Sequence, residues 1–302
     1  MSLVTSSILL MDARKKGTCV PAFNVCNYET VKAVISACEK VKRNAIIQVS
    51  EGALSYIDVD VIVAIVKALT KNTLQGYALH LDHGKSYEMC KKVVDAGFTS
   101  VMIDGSLLSM EENIKLTKKV VAYAHKKGVS VEAELGEILG KEDNHTSTNL
   151  RYTDPMQAKL FAEKTKCDSL ALSIGTAHGI NKSSTMPVIQ YEIIKKTLEL
   201  LPDVPLVAHG CSTVPKSLIN TINQNGGNIN DSQGINEKDL TKMSTSGINK
   251  INIDSDLRLA FTSAVREILM DKPQTTDPRT YLKYAITIMS EHIVHLLTKV
   301  IK

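Results

Sequence analysis

The chain has no tryptophan and only four phenylalanines among its 302 residues, so it lacks the basic surface interleaved with aromatic rings on which nucleic-acid bases stack. A formal charge of +4 is too mild to gather acidic macromolecules, but it leaves room for a small anionic substrate. No apolar run approaches the length of a membrane span. The segment from Met1 to Lys16 contains Ser6-Ser7-Ile8-Leu9-Leu10-Met11 but neither the uninterrupted apolar stretch nor the small-residue cleavage site of an export signal. These absences predict a soluble, cytoplasmic protein with neither a membrane nor a nucleic acid as partner. Six cysteines (Cys19, Cys26, Cys38, Cys90, Cys167 and Cys211) never fall in CxxC spacing. That argues against a disulfide framework or a thiolate zinc site and for reduced thiols, most of them buried as small apolar side chains.

What is present is ordinary globular material, 43% hydrophobic and 23% charged, enough for one large core. Eight short apolar runs, rich in β-branched residues, read as parallel strands buried on both faces: Cys19–Phe23, Ala45–Val49, Tyr77–Leu81, Ser100–Ile103, Val129–Ala133, Ser169–Ser173, Pro205–Ala208 and Lys250–Ile253. Amphipathic stretches alternate with them: Tyr28–Lys42, Asp58–Lys71, Tyr87–Ala96, Met110–Lys127, Asp154–Thr165, Gln190–Leu201, Pro215–Asn225 and Ser255–Met270. Thr153-Asp154-Pro155 and Ser109-Met110-Glu111-Glu112 supply capping side chains ahead of early-helix proline or acid. Eight such repeats predict a (β/α)8 barrel, one domain over residues 1–302, with an extra N-terminal helix (Ser6–Lys16) and a C-terminal helical extension. A doubly wound open sheet is the alternative. The barrel is favoured because Asn24, Ser50, Asp82, His83, Asp104, Glu134, His178, His209, Asn252 and Asp254 all fall at or just beyond the ends of the runs, where only a closed barrel lets them converge. The segment from Asn223 to Ser246, rich in Asn, Gly, Ser and Asp, reads as one long mobile loop.

Three of these runs end in a histidine followed by glycine: Leu81-Asp82-His83-Gly84, Thr176-Ala177-His178-Gly179 and Val207-Ala208-His209-Gly210. A lone histidine at a strand end is most simply a hydrogen-bonded structural residue. Three at equivalent positions of one barrel mouth point to a catalytic zinc site with an open fourth position. His80 is expected to point into the barrel as a supporting residue, while His125, His145, His292 and His295 need no function. Asp82 can exchange a proton with a substrate hydroxyl, and Glu134 can ligate metal, orient a ligand or serve structure alone. The segments Gly179–Lys182, Gly210–Thr213 and Asn252–Arg258 place backbone N–H groups, hydroxyls and a cation where barrels bind phosphate, which suggests a phosphorylated substrate.

Four motifs in order, Leu79-His80-Leu81-Asp82-His83-Gly84, Phe98-Thr99-Ser100-Val101-Met102-Ile103-Asp104-Gly105-Ser106, Val131-Glu132-Ala133-Glu134-Leu135-Gly136 and Asn252-Ile253-Asp254-Ser255-Asp256-Leu257-Arg258, resemble those of class II, metal-dependent fructose-1,6-bisphosphate aldolases. The likeness runs from Pro21-Ala22-Phe23-Asn24 to Asp277-Pro278-Arg279-Thr280-Tyr281-Leu282. It implies reversible cleavage of fructose 1,6-bisphosphate in glycolysis and gluconeogenesis. One zinc ion per subunit would be held by His83, His178 and His209, with Glu134 near an alternative, deeper position and a monovalent cation near the phosphate site. It further implies that Asp82 handles the proton at the C4 oxygen and Glu142, on a mobile loop, the proton at the carbon alpha to the ketone. Taken alone, Glu142 would read as part of a solvated turn. Gly179, Lys182, Gly210, Ser212, Asn252, Asp254 and Ser255 would hold the dihydroxyacetone phosphate end and neighbouring hydroxyls. Asn24 would also bind substrate, and Ser50, Arg258 and Arg279 would lie toward the other phosphate, Arg279 by reaching across a contact in a homodimer or homotetramer. Relatives that cleave tagatose 1,6-bisphosphate usually carry alanine where this chain has Asp254, so the fructose substrate is favoured, with tagatose bisphosphate the alternative and a non-catalytic barrel subunit a further one. A barrel hydrolase would start from a His-x-His pair on its first strand, where this chain has Asn24. Two departures from the usual family pattern are Cys211, where Gly or Ala is common, and Ala177, where Ser is.

Overall fold

Eight parallel strands close into a barrel in the computed structural model, which describes residues 3–142, 145–147, 150–180, 188–230 and 232–302, with the backbone alone at Leu139, Lys141, Glu142 and His145–Ser147. The barrel strands are β1 (Val20–Asn24), β2 (Ala45–Ser50), β3 (Tyr77–Gly84), β4 (Ser100–Ile103), β5 (Ser130–Leu135), β8 (Ser169–Leu172), β10 (Leu206–Ala208) and β11 (Ile248–Ile253). Each pairs with the next, and β11 closes on β1 through Val20↔Lys250 and Phe23↔Ile253. The remaining strands, β6 (Leu139–Glu142), β7 (His145–Ser147) and β9 (Ala177–His178), form a small accessory sheet in the order β7-β6-β9.

The expected helices are present within a residue or two: α1 (Ser6–Lys16), α2 (Tyr28–Val41), α4 (Val59–Thr70), α5 (Tyr87–Ala96), α6 (Met110–Ala124, continued by a 3-10 turn over His125–Lys127), α7 (Pro155–Thr165), α8 (Tyr191–Leu200), α9 (Lys216–Gln224) and α11 (Ser255–Asp271). The predicted caps form. Ser109 and Glu112 close a capping box on α6, and Asp154 accepts from Gln157 N–H with Pro155 opening α7. The C-terminal extension is α12 (Pro278–His295), packed on α2 and α11 and ending in a π turn over Leu296–Val300.

Three expectations change. A short helix, α3 (Glu51–Tyr56), follows β2 directly, capped by Ser50. The loop expected between Asn223 and Ser246 contains α10 (Glu237–Thr245): Asn236 caps it, and Leu240 and Met243, one turn apart, bury against the core. Glu142, expected on a loop, ends strand β6, where it pairs with His145 in an antiparallel hairpin.

Apolar side chains from both faces of the strands form the core. The larger cluster lies between barrel and helices. A second one, Leu9, Leu10 and Ala13 of α1 against Val20, Ala22, Ile46 and Ala78, seals the floor of the barrel. With the floor closed by α1, the open end is the mouth at the C-terminal ends of the strands.

Candidate active site

His83 reaches the mouth through an irregular backbone. The β3–β4 register shifts between Leu81 and Gly84, and His83 itself adopts a left-handed φ of 46°. For a histidine inside a strand this is a strained conformation that the surroundings must enforce, and it swings the ring out of the alternating pleat. His209 follows β10 directly. His178 lies six residues past the end of β8, on β9 of the accessory sheet, so it joins the site from beside the barrel wall. Glycines make that approach possible. A Cβ at Gly140 would collide with the carbonyl of His178, and one at Gly210 (φ 63°) with the carbonyl of Ala177.

The three imidazoles come together, with ring centroids 4.6 Å (His83 to His209), 5.2 Å (His83 to His178) and 6.0 Å (His178 to His209) apart. One ring nitrogen from each lies within 4.8 Å of the others. Neighbouring carboxylates set the ring protons. Asp104 Oδ2 lies 3.0 Å from His83 Nδ1, and Glu132 Oε1 lies 2.9 Å from His209 Nε2. Carboxylates accept, so these nitrogens donate, which leaves His83 Nε2 and His209 Nδ1 facing each other 2.9 Å apart, within hydrogen-bond reach. Burial pushes the His209 imidazole down to about 4 against the pull of Glu132, which keeps it neutral. Two pre-aimed imidazole nitrogens beside a third imidazole fit a borderline-soft divalent cation. Glu134 Oε2, 3.4 Å from His209 Nδ1, belongs to a second set with His83 and Asp104 that could also hold a metal. For Asp104, burial alone would raise the carboxyl, but the hydrogen bonds from His83 and Lys85 outweigh it and hold it well below the usual range.

Asp82 is buried beside the metal set and accepts from three amides: Asn24 Nδ2 at 2.7 Å, Gln48 Nε2 at 3.2 Å and Asn252 Nδ2 at 3.3 Å. Across the mouth, Ser212 Oγ accepts the N–H groups of Asp254 and Ser255, which ties the Gly210–Thr213 loop to the start of α11. Asn24, Ser50, Asp254 and Arg258 line one cavity of about 580 Å³, and Asp254 accepts from Arg258 Nε at 2.7 Å. Gly179 follows His178 at φ 83°. Lys182 and the Glu142 side chain lie outside the described residues. Arg279, at the start of α12, is 89% exposed and pairs with Asp277; this single chain does not bring it to the mouth.

Sequence reasoning missed Gln48, Glu132 and Lys250. Each is a polar residue inside a fully buried strand, which is the one signal that could have marked them. It placed His80 correctly: the ring is buried in the barrel and bonded to Ser100. It gave His292 no role, yet His292 Nε2 lies 3.2 Å from the buried Asp256 carboxylate. All six cysteines are free, and only Cys26 is exposed. The Cys211 thiol is buried against the carbonyls of Ala208 and His209.

Residues 4–301 match the family described as fructose-bisphosphate aldolase class-II. The chain is 43% identical over 283 residues to a fructose-bisphosphate aldolase of Thermus caldophilus, covering 93% of this chain and 92% of that one. It is 42% identical over 284 residues to a fructose-bisphosphate aldolase of Giardia intestinalis, covering 93% and 88%. Among solved structures, the YdjI aldolase of Escherichia coli K12 superposes with a TM-score of 0.78 at 29% identity over 98% of this chain and 96% of that one. With a barrel mouth that gathers three histidines beside a cradled aspartate and a match spanning nearly its whole length, the chain belongs to the class II, metal-dependent fructose-bisphosphate aldolase family.

Proposed function

We propose that residues 1–302 act as one barrel domain that catalyses the reversible cleavage of fructose 1,6-bisphosphate to dihydroxyacetone phosphate and glyceraldehyde 3-phosphate, in glycolysis and gluconeogenesis. The observation that carries this reading is the meeting of His83 Nε2 and His209 Nδ1, the nitrogens that Asp104 and Glu132 leave to the mouth, 2.9 Å apart, with Asp82 next to His83 in the chain. His83, His178 and His209 hold zinc, with Glu134 beside a deeper alternative position. Bound there, the ion supplies Lewis-acid polarisation of the ketone carbonyl and stabilises the charge left when the C3–C4 bond breaks.

Asp82 takes the proton of the C4 hydroxyl in cleavage and returns it in condensation. The amides of Asn24, Gln48 and Asn252 hold its carboxylate as an acceptor aimed by three donors. Glu142 handles the proton at the carbon alpha to the ketone. Gly179, Lys182, Gly210, Ser212 and Ser255 bind the phosphate of the dihydroxyacetone half, near a monovalent cation, while Asn252 and Asp254 hold neighbouring hydroxyls. Asn24, Ser50 and Arg258 serve the aldehyde half, and Arg279 completes that site from a second subunit of a homodimer or homotetramer. The exposure of Arg279 supports this placement. The position of Asp254 on the cavity wall, oriented by Arg258, supports discrimination at C4, where one hydrogen bond separates the fructose from the tagatose substrate. Among the described residues no helix is long and apolar enough to cross a membrane.

A coupled cleavage assay with fructose and tagatose 1,6-bisphosphates, before and after chelation and zinc restoration, tests the proposal. The expected result is chelator-sensitive, zinc-restored activity that prefers the fructose substrate. Preference for tagatose bisphosphate would remove the role of Asp254 and leave the chemistry. Zinc-loaded protein inactive on both substrates would sink the reading.

A further inference from the structure

Beneath the histidines, the barrel interior holds an ion pair that the chemistry of the mouth does not use. Lys250 on β11 and Glu132 on β5 are both wholly buried, and Lys250 Nζ donates to Glu132 Oε2 at 2.8 Å. Taking two charges out of water is costly, and apolar side chains of similar volume often fold at least as well in their place. Stability alone is therefore a poor reason to find the pair at the centre of a barrel. The contacts around it suggest another. The second carboxylate oxygen, Oε1, accepts from His209 Nε2 at 2.9 Å. On the other side, Lys250 Nζ lies 3.3 Å from His80 Nε2. An ammonium can only donate, so that nitrogen accepts and His80 carries its proton on Nδ1, given to Ser100 Oγ at 2.7 Å. The two buried histidines thus hold opposite tautomers, each dictated by the charge that faces it.

We propose that Glu132, aimed by Lys250, is a positioning residue that keeps the His209 proton on Nε2 and so presents Nδ1 to the metal. It touches neither metal nor substrate. Without Oε1 the ring is free to rotate or to move its proton to Nδ1, and either change removes the lone pair that faces His83 Nε2. Lys250 keeps the carboxylate from turning away, since one of its oxygens is committed to the ammonium. This inference rests on the metal reading of the three histidines, and the test separates the two.

Zinc affinity is measured by competition with a chromophoric chelator, and thermal unfolding is followed on the metal-free protein. Glu132→Leu with Lys250→Met removes both charges and the acceptor. Zinc affinity is expected to fall about 10- to 100-fold, the usual effect of losing a group that orients a metal ligand, while the metal-free protein unfolds no earlier than wild type. Glu132→Gln with Lys250→Met restores an acceptor oxygen and should recover most of the affinity. Unchanged affinity in the Leu/Met protein overturns the proposal, as does a loss that simply tracks loss of metal-free stability in the two variants. Wild-type protein that binds no zinc would instead overturn the metal reading. If neither variant folds, nitrogen-15 shifts of the His209 ring in metal-free wild type decide: the Nε2–H tautomer is expected, and Nδ1–H overturns the proposal.

Discussion

Asp82 and His209 sit in one mouth but should fail differently when truncated. Asp82 is held by side-chain amides from three strands, β1, β2 and β11, so its removal leaves the histidines in place. Asp82→Ala is expected to keep its zinc, read by metal content after gel filtration, while cleavage slows by about 10²- to 10⁴-fold, the range for a general acid or base. His209→Ala is expected to lose zinc and activity together. A near-normal rate for Asp82→Ala would dismiss its proton-transfer role. At this scale the sequence was legible where a polar residue ended an apolar run, as His83, His209 and Asn24 do. It was illegible where the polar residue lay inside the run: Gln48 and Glu132 alternate with apolar neighbours that point outward, and nothing in spacing says which strand they will meet across the barrel.

The loop after β10 shows how one element depends on another. Val214 adopts φ 50°, a left-handed conformation costly for a β-branched side chain, and Asp256 on α11 holds it there. Its two oxygens accept Val214 N–H at 2.8 Å, Thr213 N–H at 3.0 Å and Thr213 Oγ1 at 2.8 Å, with His292 of α12 behind. Burial raises a carboxyl, but here the hydrogen bonds from His292, Val214 and Thr213 outweigh it and lower Asp256 below its usual value near 3.8. A carboxyl lowered in the folded state stabilises fully above its unfolded value, and that contribution disappears as pH falls through the folded one. Asp256→Asn should therefore cost about 1–3 kcal/mol at neutral pH by urea unfolding. The gap to wild type should narrow as pH drops below about 4; a gap that is constant with pH would contradict the assignment. Elements of this kind were only partly readable. The strands β7 and β9, three and two residues long, are too short to show a period, and α10 hides in a composition that favours loops, although Asn236 before Leu240 and Met243 was a usable cap signal.

For the whole molecule, the floor of the barrel matters as much as the mouth. Arg14 of α1 spreads its guanidinium over the carbonyls of Leu201, Pro202 and Val204, at 2.6, 2.6 and 2.8 Å, and also reaches Asn249 Oδ1 on β11 at 3.2 Å. One side chain thereby binds the N-terminal helix to the segment before β10 and to β11. Arg14→Ala is expected to destabilise by about 2 kcal/mol, given a charged donor shared among several carbonyls that water can partly replace, with zinc affinity unchanged. A loss of zinc affinity would mean that the floor and the mouth are coupled. The sequence by itself determined the class of this protein: eight apolar runs alternating with amphipathic helices fix the barrel, because strands buried on both faces must be apolar throughout and parallel strands need a crossover between them. It also determined where chemistry could occur, because polar residues at strand ends share one mouth. The tertiary structure alone decided which nitrogens of His83 and His209 face the metal set, that His178 arrives on a separate small sheet, and that a buried Lys250–Glu132 pair lies behind His209. Those are contacts between residues dozens of positions apart, set by barrel closure and side-chain direction, and no local pattern in the chain encodes them.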